Sequence, residues 1–413
     1  MSAVASSASG LLAHRPFVLL WLARVAATMG YQMLAVLIGW KIYEITSSAL
    51  DLGLVGFIQF VPAVVLTLLI GHTADRYDRR QIVRLAQSVY ALVAVIIAGA
   101  LMTGALSRDL LFVAVFMLGT ARAFEMPTIH ALVPALVPAR MISRAVAAWT
   151  SANQVAVICG PALGGLIYAL TPFAVSAICI VFFATAITLV SLVRLSGAAE
   201  KREPPTLSSV LAGWQFIRGN RRLLGVITLD LFVVILGGAT ALLPIYARDI
   251  LHAGPIGLGL LRSAPAVGAL LTSAILSRHP IERHIGRRMF IVVAVYGLST
   301  ISFGLSTWFP LSLLALAVLG AADAMSVVIR FSLVQIETPD AMRGRVSAIN
   351  YLFVGSSNTL GEFESGAVAA WLGAVPSVLI GGIGSLVIAA LWMLLFPGLL
   401  RIDRFRPADR GRE

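Results

Sequence analysis

Residues 50–80 read LDLGLVGFIQFVPAVVLTLLIGHTADRYDRR, and the way this stretch divides decides the fold. From Leu50 to Ile70 the only charged side chain is Asp51, at the mouth of the run, and the rest is almost wholly apolar. A helix needs about 20 apolar residues to cross the hydrocarbon core of a bilayer, which this run supplies. The following Gly71–Arg80 carries Asp75, Arg76, Asp78, Arg79 and Arg80. An apolar span closed by a charged break reads as a membrane helix re-entering water. Backbone groups in lipid must be satisfied internally, so only helices and closed barrels span. Barrel strands alternate polar and apolar residues. Neither Leu50–Ile70 nor Val89–Thr103 alternates, so these are helices.

The pattern recurs along the chain. Apolar segments fall at about 16–43, 49–70, 82–105, 110–133, 145–169 and 173–195, and then at 223–247, 255–277, 289–307, 311–334, 346–371 and 375–398. Only 12% of the 413 residues are charged and 59% are hydrophobic, whereas a soluble domain carries roughly a quarter charged residues. The expected fold is an all-α membrane protein of twelve transmembrane helices. Residues 1–195 form one six-helix half and residues 223–413 the other, with a basic tail. Residues 196–222 form a cytoplasmic linker whose Leu207–Ile217 reads as an amphipathic helix on the membrane surface. The first thirteen residues are small and mostly polar, so no cleavable leader is expected.

Charge placement sets the orientation. Of 31 Lys and Arg, 24 fall in segments that are cytoplasmic if both termini are inside; the external loops hold only Lys41, Arg108 and Arg248. That asymmetry puts both termini in the cytoplasm. The same bias explains the net charge of +12 without nucleic acid, since no basic segment is interleaved with stacking aromatics. The two cysteines, Cys159 and Cys179, sit in apolar helices and read as small hydrophobes.

The halves also repeat. A shift of 201 positions pairs Gly119 with Gly320, Pro138 with Pro339, Arg144 with Arg345, Gly160 with Gly361 and Gly165 with Gly366, and sets Arg122 opposite Asp323. Two parallel six-helix repeats are one architecture of secondary transporters, whose substrate site lies near the bilayer midplane.

The loop Gly71-His72-Thr73-Ala74-Asp75-Arg76-Tyr77-Asp78-Arg79-Arg80 resembles the signature of the major facilitator superfamily, G-x-L-A-D-R-x-G-R-R/K. It departs at Thr73 and at Asp78, where the family has a large apolar residue and a glycine. The resemblance implies that Gly71, Asp75, Arg76, Arg79 and Arg80 latch the two halves on the cytoplasmic side. Gly160-Pro161-Ala162-Leu163-Gly164-Gly165 is similar to the G-P-x-x-G-G motif of export and antiport branches, although Ala147 and Ala156 stand where the fuller motif has glycine. Gly160, Pro161, Gly164 and Gly165 would then give close helix approach and a kink. Pro134-Ala135-Leu136-Val137-Pro138, Leu242–Ala247 and Arg343-Gly344-Arg345-Val346 look like the branch that contains enterobactin exporters and drug-efflux carriers. That likeness implies a multi-pass protein of a bacterial inner (cytoplasmic) membrane.

Ionisable groups inside spans are costly and mark function. Here they are Arg24, Arg122, Glu125, Asp230, Arg262, Asp323, Arg330, Glu362 and Glu364. Arg122 and Glu125 lie one turn apart and share a face. Glu362 and Glu364 point to different faces. Asp230, Glu125, Arg122, Glu362, Glu364 and Asp323 are the candidates for proton coupling. Tyr31, Gln59, Asn153, Gln154 and Phe232 are candidates for lining a substrate cavity, with helix-to-helix hydrogen bonds as the competing account of the polar ones.

No G-x-x-x-x-G-K-[ST] loop is present, so ATP is not the expected energy source. No histidine has a second ligand at metal spacing, and no cofactor, metal or enzymatic activity is expected. The reading is a monomeric proton-coupled exporter of an amphipathic small molecule, such as a drug or siderophore, working by alternating access. An uptake symporter or a lysophospholipid flippase would use the same fold. A lipid-acting enzyme or a non-transporting sensor fits less well.

Overall fold

The computed structural model describes residues 10–11, 13–66, 69, 73, 77–193 and 207–405. Six helices come first: α1 (Arg15–Thr46), α2 (Ala49–Val65), α3 (Arg79–Thr103), α4 (Arg108–Leu132), α5 (Ile142–Leu170) and α6 (Pro172–Leu192). The linker helix α7 (Leu207–Gly219) precedes α8 (Arg221–Leu236), α9 (Gly254–Arg278), α10 (Ile285–Leu305), α11 (Phe309–Glu337), α12 (Asp340–Leu372) and α13 (Ala374–Leu395). Their ends follow local chemistry. Ser107 accepts a hydrogen bond from the Leu110 amide at the start of α4 (3.3 Å), and Asn220 accepts from the amides of Arg222 and Leu223 at the start of α8. Gly104 closes α3 in the left-handed conformation, φ 69°, which glycine adopts at no steric cost.

Among the described residues, ten helices are long and apolar enough to cross a membrane. Of the twelve expected spans, the remaining two map onto α2, which has 17 described residues, and α12. The 33-residue α12 carries Arg343, Arg345, Glu362 and Glu364 and, between them, Asn350 and the polar run Ser356-Ser357-Asn358-Thr359, which together keep it off the purely apolar set. Large apolar side chains face outward along these helices, among them Met102, Trp371 and Leu394, at 74%, 90% and 79% exposure. In water such a surface would be an aggregation liability; around membrane helices it is the lipid face.

The chain divides into two compact units: residues 1–47, 58–204 and 253–263 form one, and residues 48–57, 205–252 and 264–413 the other. In the first, α1 packs on α5 and α6, and α3 packs on α4 and α6. In the second, α8 packs on α12 and α13, and α10 packs on α11 and α13. Each of these four pairings in one unit thus has its counterpart in the other. The repeat reaches individual hydrogen bonds: the Met141 amide donates to the Pro138 carbonyl at 2.8 Å, and the Met342 amide to the Pro339 carbonyl at 2.9 Å.

Two local features bear on the sequence motifs. Gly71, Asp75 and Arg76 of the loop signature lie outside the described residues, while Arg79 and Arg80 open α3 half-buried. Asp78, where the signature departs from glycine, caps α3 by accepting from the Arg80 amide (2.9 Å) and pairs with the Arg80 guanidinium at 2.6 Å. Arg80 Nη1 also donates to the Val193 carbonyl beyond α6, at 2.9 Å. The Arg80 side chain therefore holds the Asp78 carboxyl below its ordinary range. A carboxyl lowered in the folded state stabilises it above the ordinary value of 3.8, and that contribution is lost as pH falls through the lowered value. Asp78→Gly should destabilise the protein by about 1 kcal/mol at pH 7, from the lost cap and a half-exposed ion pair. The difference from wild type should vanish under strongly acidic conditions, and thermal unfolding in detergent at both pH values would check this.

The second feature is α7. Its Ile217 is fully buried against the second unit, with Trp214 and Phe216 packed beside it. A Cβ added at Gly213 would meet the Arg345 side chain at 3.2 Å. Protein, rather than the membrane surface, covers this side of the linker helix.

Candidate functional site

Two clusters of polar groups lie within the spans, one in each unit. In the first unit, Glu125 sits about two-thirds of the way along α4 at 3% exposure. Tyr90 Oη donates to Glu125 Oε2 at 2.9 Å, Gln87 Nε2 donates to Oε1 at 3.3 Å, and Arg24 Nη1 lies 3.8 Å from Oε2. Arg24 is itself positioned by Asn153 Oδ1, which accepts from Arg24 Nε (3.2 Å) and from Thr28 Oγ1 (3.3 Å). Arg122 does not close an ion pair with Glu125 despite sharing its face. Its guanidinium lies over the ring of Tyr31, 4.5 Å from the centroid. Tyr31 in turn accepts from Gln59 Nε2 and meets Tyr90 edge-on at 5.7 Å. Two arginines and one carboxylate leave this cluster with an excess positive charge.

The second unit has the opposite balance. Asp230 in α8 and Arg330 in α11 form a direct ion pair, and both are buried, at 7% and 5% exposure. Arg330 Nε also donates to Ser326 Oγ at 3.2 Å. Asp323 lies two turns before Arg330 on the same helix, at the centre of α11, yet it is exposed. Its exposure is into a cavity of about 250 Å³ that it shares with Thr240, Tyr296 and Asn358. Two carboxylates and one arginine leave this cluster with an excess negative charge.

The remaining expected residues fall as follows. Glu362, half-buried on α12, lies against Gly56, where an added Cβ would meet its carboxylate oxygen at 2.6 Å. Glu364 accepts from Ser365 Oγ at 3.4 Å. Gln154 is half-buried in α5. Phe232 is exposed and packs on Trp392, with ring centroids 5.3 Å apart. In α5, added Cβ atoms at Gly160 and Gly164 would meet Gln32 Cβ at 2.7 Å and Met33 Cα at 3.0 Å, so the small residues seat α1. Pro161 is buried between them.

Gln87, Tyr90, Thr28 and Ser326 were missed from sequence. A signal existed for two of them: Gln87 and Tyr90 stand one turn apart in a largely apolar run, which places both on one face. The partnership of Asp230 with Arg330, a hundred residues apart, had no comparable local signal. Chemically, these clusters can bind, release and reorganise charge. Among the described residues, no group of three His, Cys, Asp or Glu side chains is placed to hold a metal ion.

Comparison with known proteins agrees with this geometry. A family described as transmembrane secretion effector, within the major facilitator superfamily, matches residues 6–404. The enterobactin exporter EntS of Citrobacter koseri is 25% identical over 97% of this chain and 96% of its own length. EntS of Escherichia coli O1:K1 is 25% identical over 96% of this chain and 94% of its own. The crystal structure of the nucleoside transporter NupG superposes with TM-score 0.71 at 16% identity, covering 92% of this chain and 99% of that one.

Proposed function

The chain belongs to the transmembrane secretion effector family of major facilitator transporters, and from that premise we propose that it is a proton-coupled exporter of an amphipathic small molecule. The family makes it a multi-pass secondary transporter rather than an enzyme. The export direction draws support from the enterobactin exporters that share its full length. The Gly160–Gly165 motif, of the kind found in export and antiport branches, points the same way. We place it in a bacterial inner membrane, with twelve spans, both termini cytoplasmic and the halves alternating access as a monomer.

The observation that carries the proton-coupled reading is Glu125. A buried carboxylate within a membrane span is costly to keep and marks a relay or a binding group. This one faces two neutral donors and one arginine, with a second arginine held one turn away on Tyr31. When ionised, Glu125 holds Arg24. When a proton neutralises it, Arg24 loses its counter-ion, and the shared network of Asn153, Thr28, Tyr90 and Gln87 must rearrange. A proton and a substrate that both act on this network can therefore exclude one another, which is the requirement for antiport. One proton crossing 100 mV supplies about 2.3 kcal/mol, so one or two suffice for modest accumulation.

The reading is tested by transport in proteoliposomes, with a fluorescent lipophilic cation as probe and an imposed pH gradient. Wild type should move the probe against its own gradient. Glu125→Gln should lower that gradient-driven movement at least tenfold while leaving probe exchange without a pH gradient intact. Movement indifferent to the pH gradient would remove the proton from the scheme. Accumulation of the probe with the proton, rather than against it, would make the protein a symporter.

A further inference from the structure

The cavity beside Asp323 has a chemistry that the proton-coupled reading does not use. It lies where the chain from Arg221 to Ile250 is broken. Helix α8 ends at Leu236, residues Ala239–Leu242 form a 3₁₀ turn, and helix resumes at Leu243. The break is built in. Added Cβ atoms would collide with Tyr296 Oη at Gly237 and with the Gly361 carbonyl at Gly238, and Tyr296 Oη donates to the Gly237 carbonyl at 3.2 Å. At this end the Val234 carbonyl accepts from the Gly237 amide at 3.1 Å and the Gly237 carbonyl also accepts from the Ala239 amide at 2.8 Å, so what α8 offers the cavity is the negative end of its dipole rather than free carbonyl ligands. In transporters the C-terminal ends of broken helices lie beside small cations.

The cavity's side chains continue that pattern. Asp323 supplies one carboxylate, and among the described residues it makes no hydrogen bond or ion pair. Thr240 adds a hydroxyl oxygen. Asn358 also lines the cavity; its amide nitrogen donates to the Val354 carbonyl at 2.8 Å, so its amide oxygen is the group left to accept or to bind. The neighbouring arginine, Arg330, is already paired with Asp230 and bonded to Ser326. The ligands are thus hard oxygens carrying a single negative charge. Divalent hard cations are ordinarily held by several carboxylates, and soft metals by thiolates or imidazoles, neither of which is present here.

We infer that this cavity is a binding site for a small monovalent cation, held by the Asp323 carboxylate with Thr240 and Asn358 beside it and favoured by the negative end of the α8 dipole. The site is separate from the Glu125 cluster, and its occupation does not depend on Glu125 carrying a proton.

The test is equilibrium binding of radioactive Na⁺ to the purified full-length protein in detergent, at constant ionic strength made up with choline. Saturable binding of one ion per chain is expected, displaced by unlabelled Na⁺ and Li⁺ but not by K⁺ or tetramethylammonium. Asp323→Asn should weaken it at least tenfold, and Asn358→Leu should weaken it less. Both variants are run beside wild type on gel filtration, and the milder one carries the test if Asp323→Asn does not fold. Absence of saturable binding to wild type overturns the assignment. So does binding that both folded variants retain, and so does displacement by K⁺ or tetramethylammonium as effective as by Na⁺; the last would make this a subsite for a bulkier cationic group. Proton-driven transport that persists in choline with no Na⁺ binding would sink this inference and leave the exporter reading standing.

Discussion

Replacing Asp230 with leucine will destabilise the protein by roughly 3–5 kcal/mol, and adding Arg330→Met will restore most of the loss. Both partners are nearly sealed from solvent, at 7% and 5% exposure, so removing the aspartate leaves the guanidinium in the core of the second unit with no carboxylate in contact, Asp323 lying two turns away on α11. Breaking a buried pair from one side costs this much because the remaining charge keeps its desolvation penalty and loses its counter-ion. Replacing both sides with apolar groups of similar size removes the penalty together with the attraction, which is often neutral. The singles should also be unequal. An aspartate left alone can take up a proton, whereas an arginine cannot release one at any accessible pH. Arg330→Met should therefore be milder than Asp230→Leu. Ser326 gives Arg330 only one neutral acceptor and cannot replace the carboxylate. Thermal unfolding of the four proteins in one detergent would measure this. A double variant no better than Asp230→Leu would mean that the pair is not the source of the loss.

How much of this was legible in the sequence depends on the range over which each signal acts. Spans are written in continuous composition, and all but two of the expected segments coincide with helices that meet a strict length and apolarity standard. The exceptions are instructive. α12 holds Arg343, Arg345, Glu362 and Glu364 with the polar run Ser356-Ser357-Asn358-Thr359 between them, and together these blur its hydropathy. The internal repeat was also readable, because a packing glycine recurs where the same close approach recurs. The pairings of charges were not. Sequence could place Arg122 and Glu125 on one face, but whether Glu125 closes with Arg122 or with Arg24 depends on how α1 and α4 lie against each other. Tyr31 settles that by taking Arg122 onto its ring. The break after Leu236 was likewise hidden within an unbroken apolar run, 223–247, since Gly237 and Gly238 are unremarkable in a glycine-rich membrane protein. What distinguishes them is the backbone they touch.

The same consideration gives the second large effect. Gly165→Leu and Gly366→Leu, repeat-related by the 201-residue shift, should each abolish recovery of folded protein or cut it several-fold. At Gly366 an added Cβ would stand 2.5 Å from Gly53 Cα and 2.9 Å from the Ala49 carbonyl; at Gly165 it would run into the Pro255 carbonyl and stand 3.1 Å from Gly259 Cα. In both places glycine faces glycine, and helix meets helix through backbone alone. No flexible side chain is available to yield. Overpacking a core with side-chain neighbours costs about 1–3 kcal/mol, and here a helix must move instead, so the loss should exceed that range. Packing in lipid depends on such close approach because no hydrophobic force draws the helices together. The control is Gly99→Ala with Gly355→Ala, also inside helices but with nothing within 4 Å of an added Cβ. Those changes should be neutral or stabilising by about 0.5–1 kcal/mol each, since alanine loses less backbone freedom than glycine in a helix. Yield and monodispersity on gel filtration, followed by unfolding midpoints, would separate the two classes. If leucine at 165 and 366 is tolerated as well as alanine at 99 and 355, close backbone contact is not what holds these helices, and the repeated glycines need another explanation.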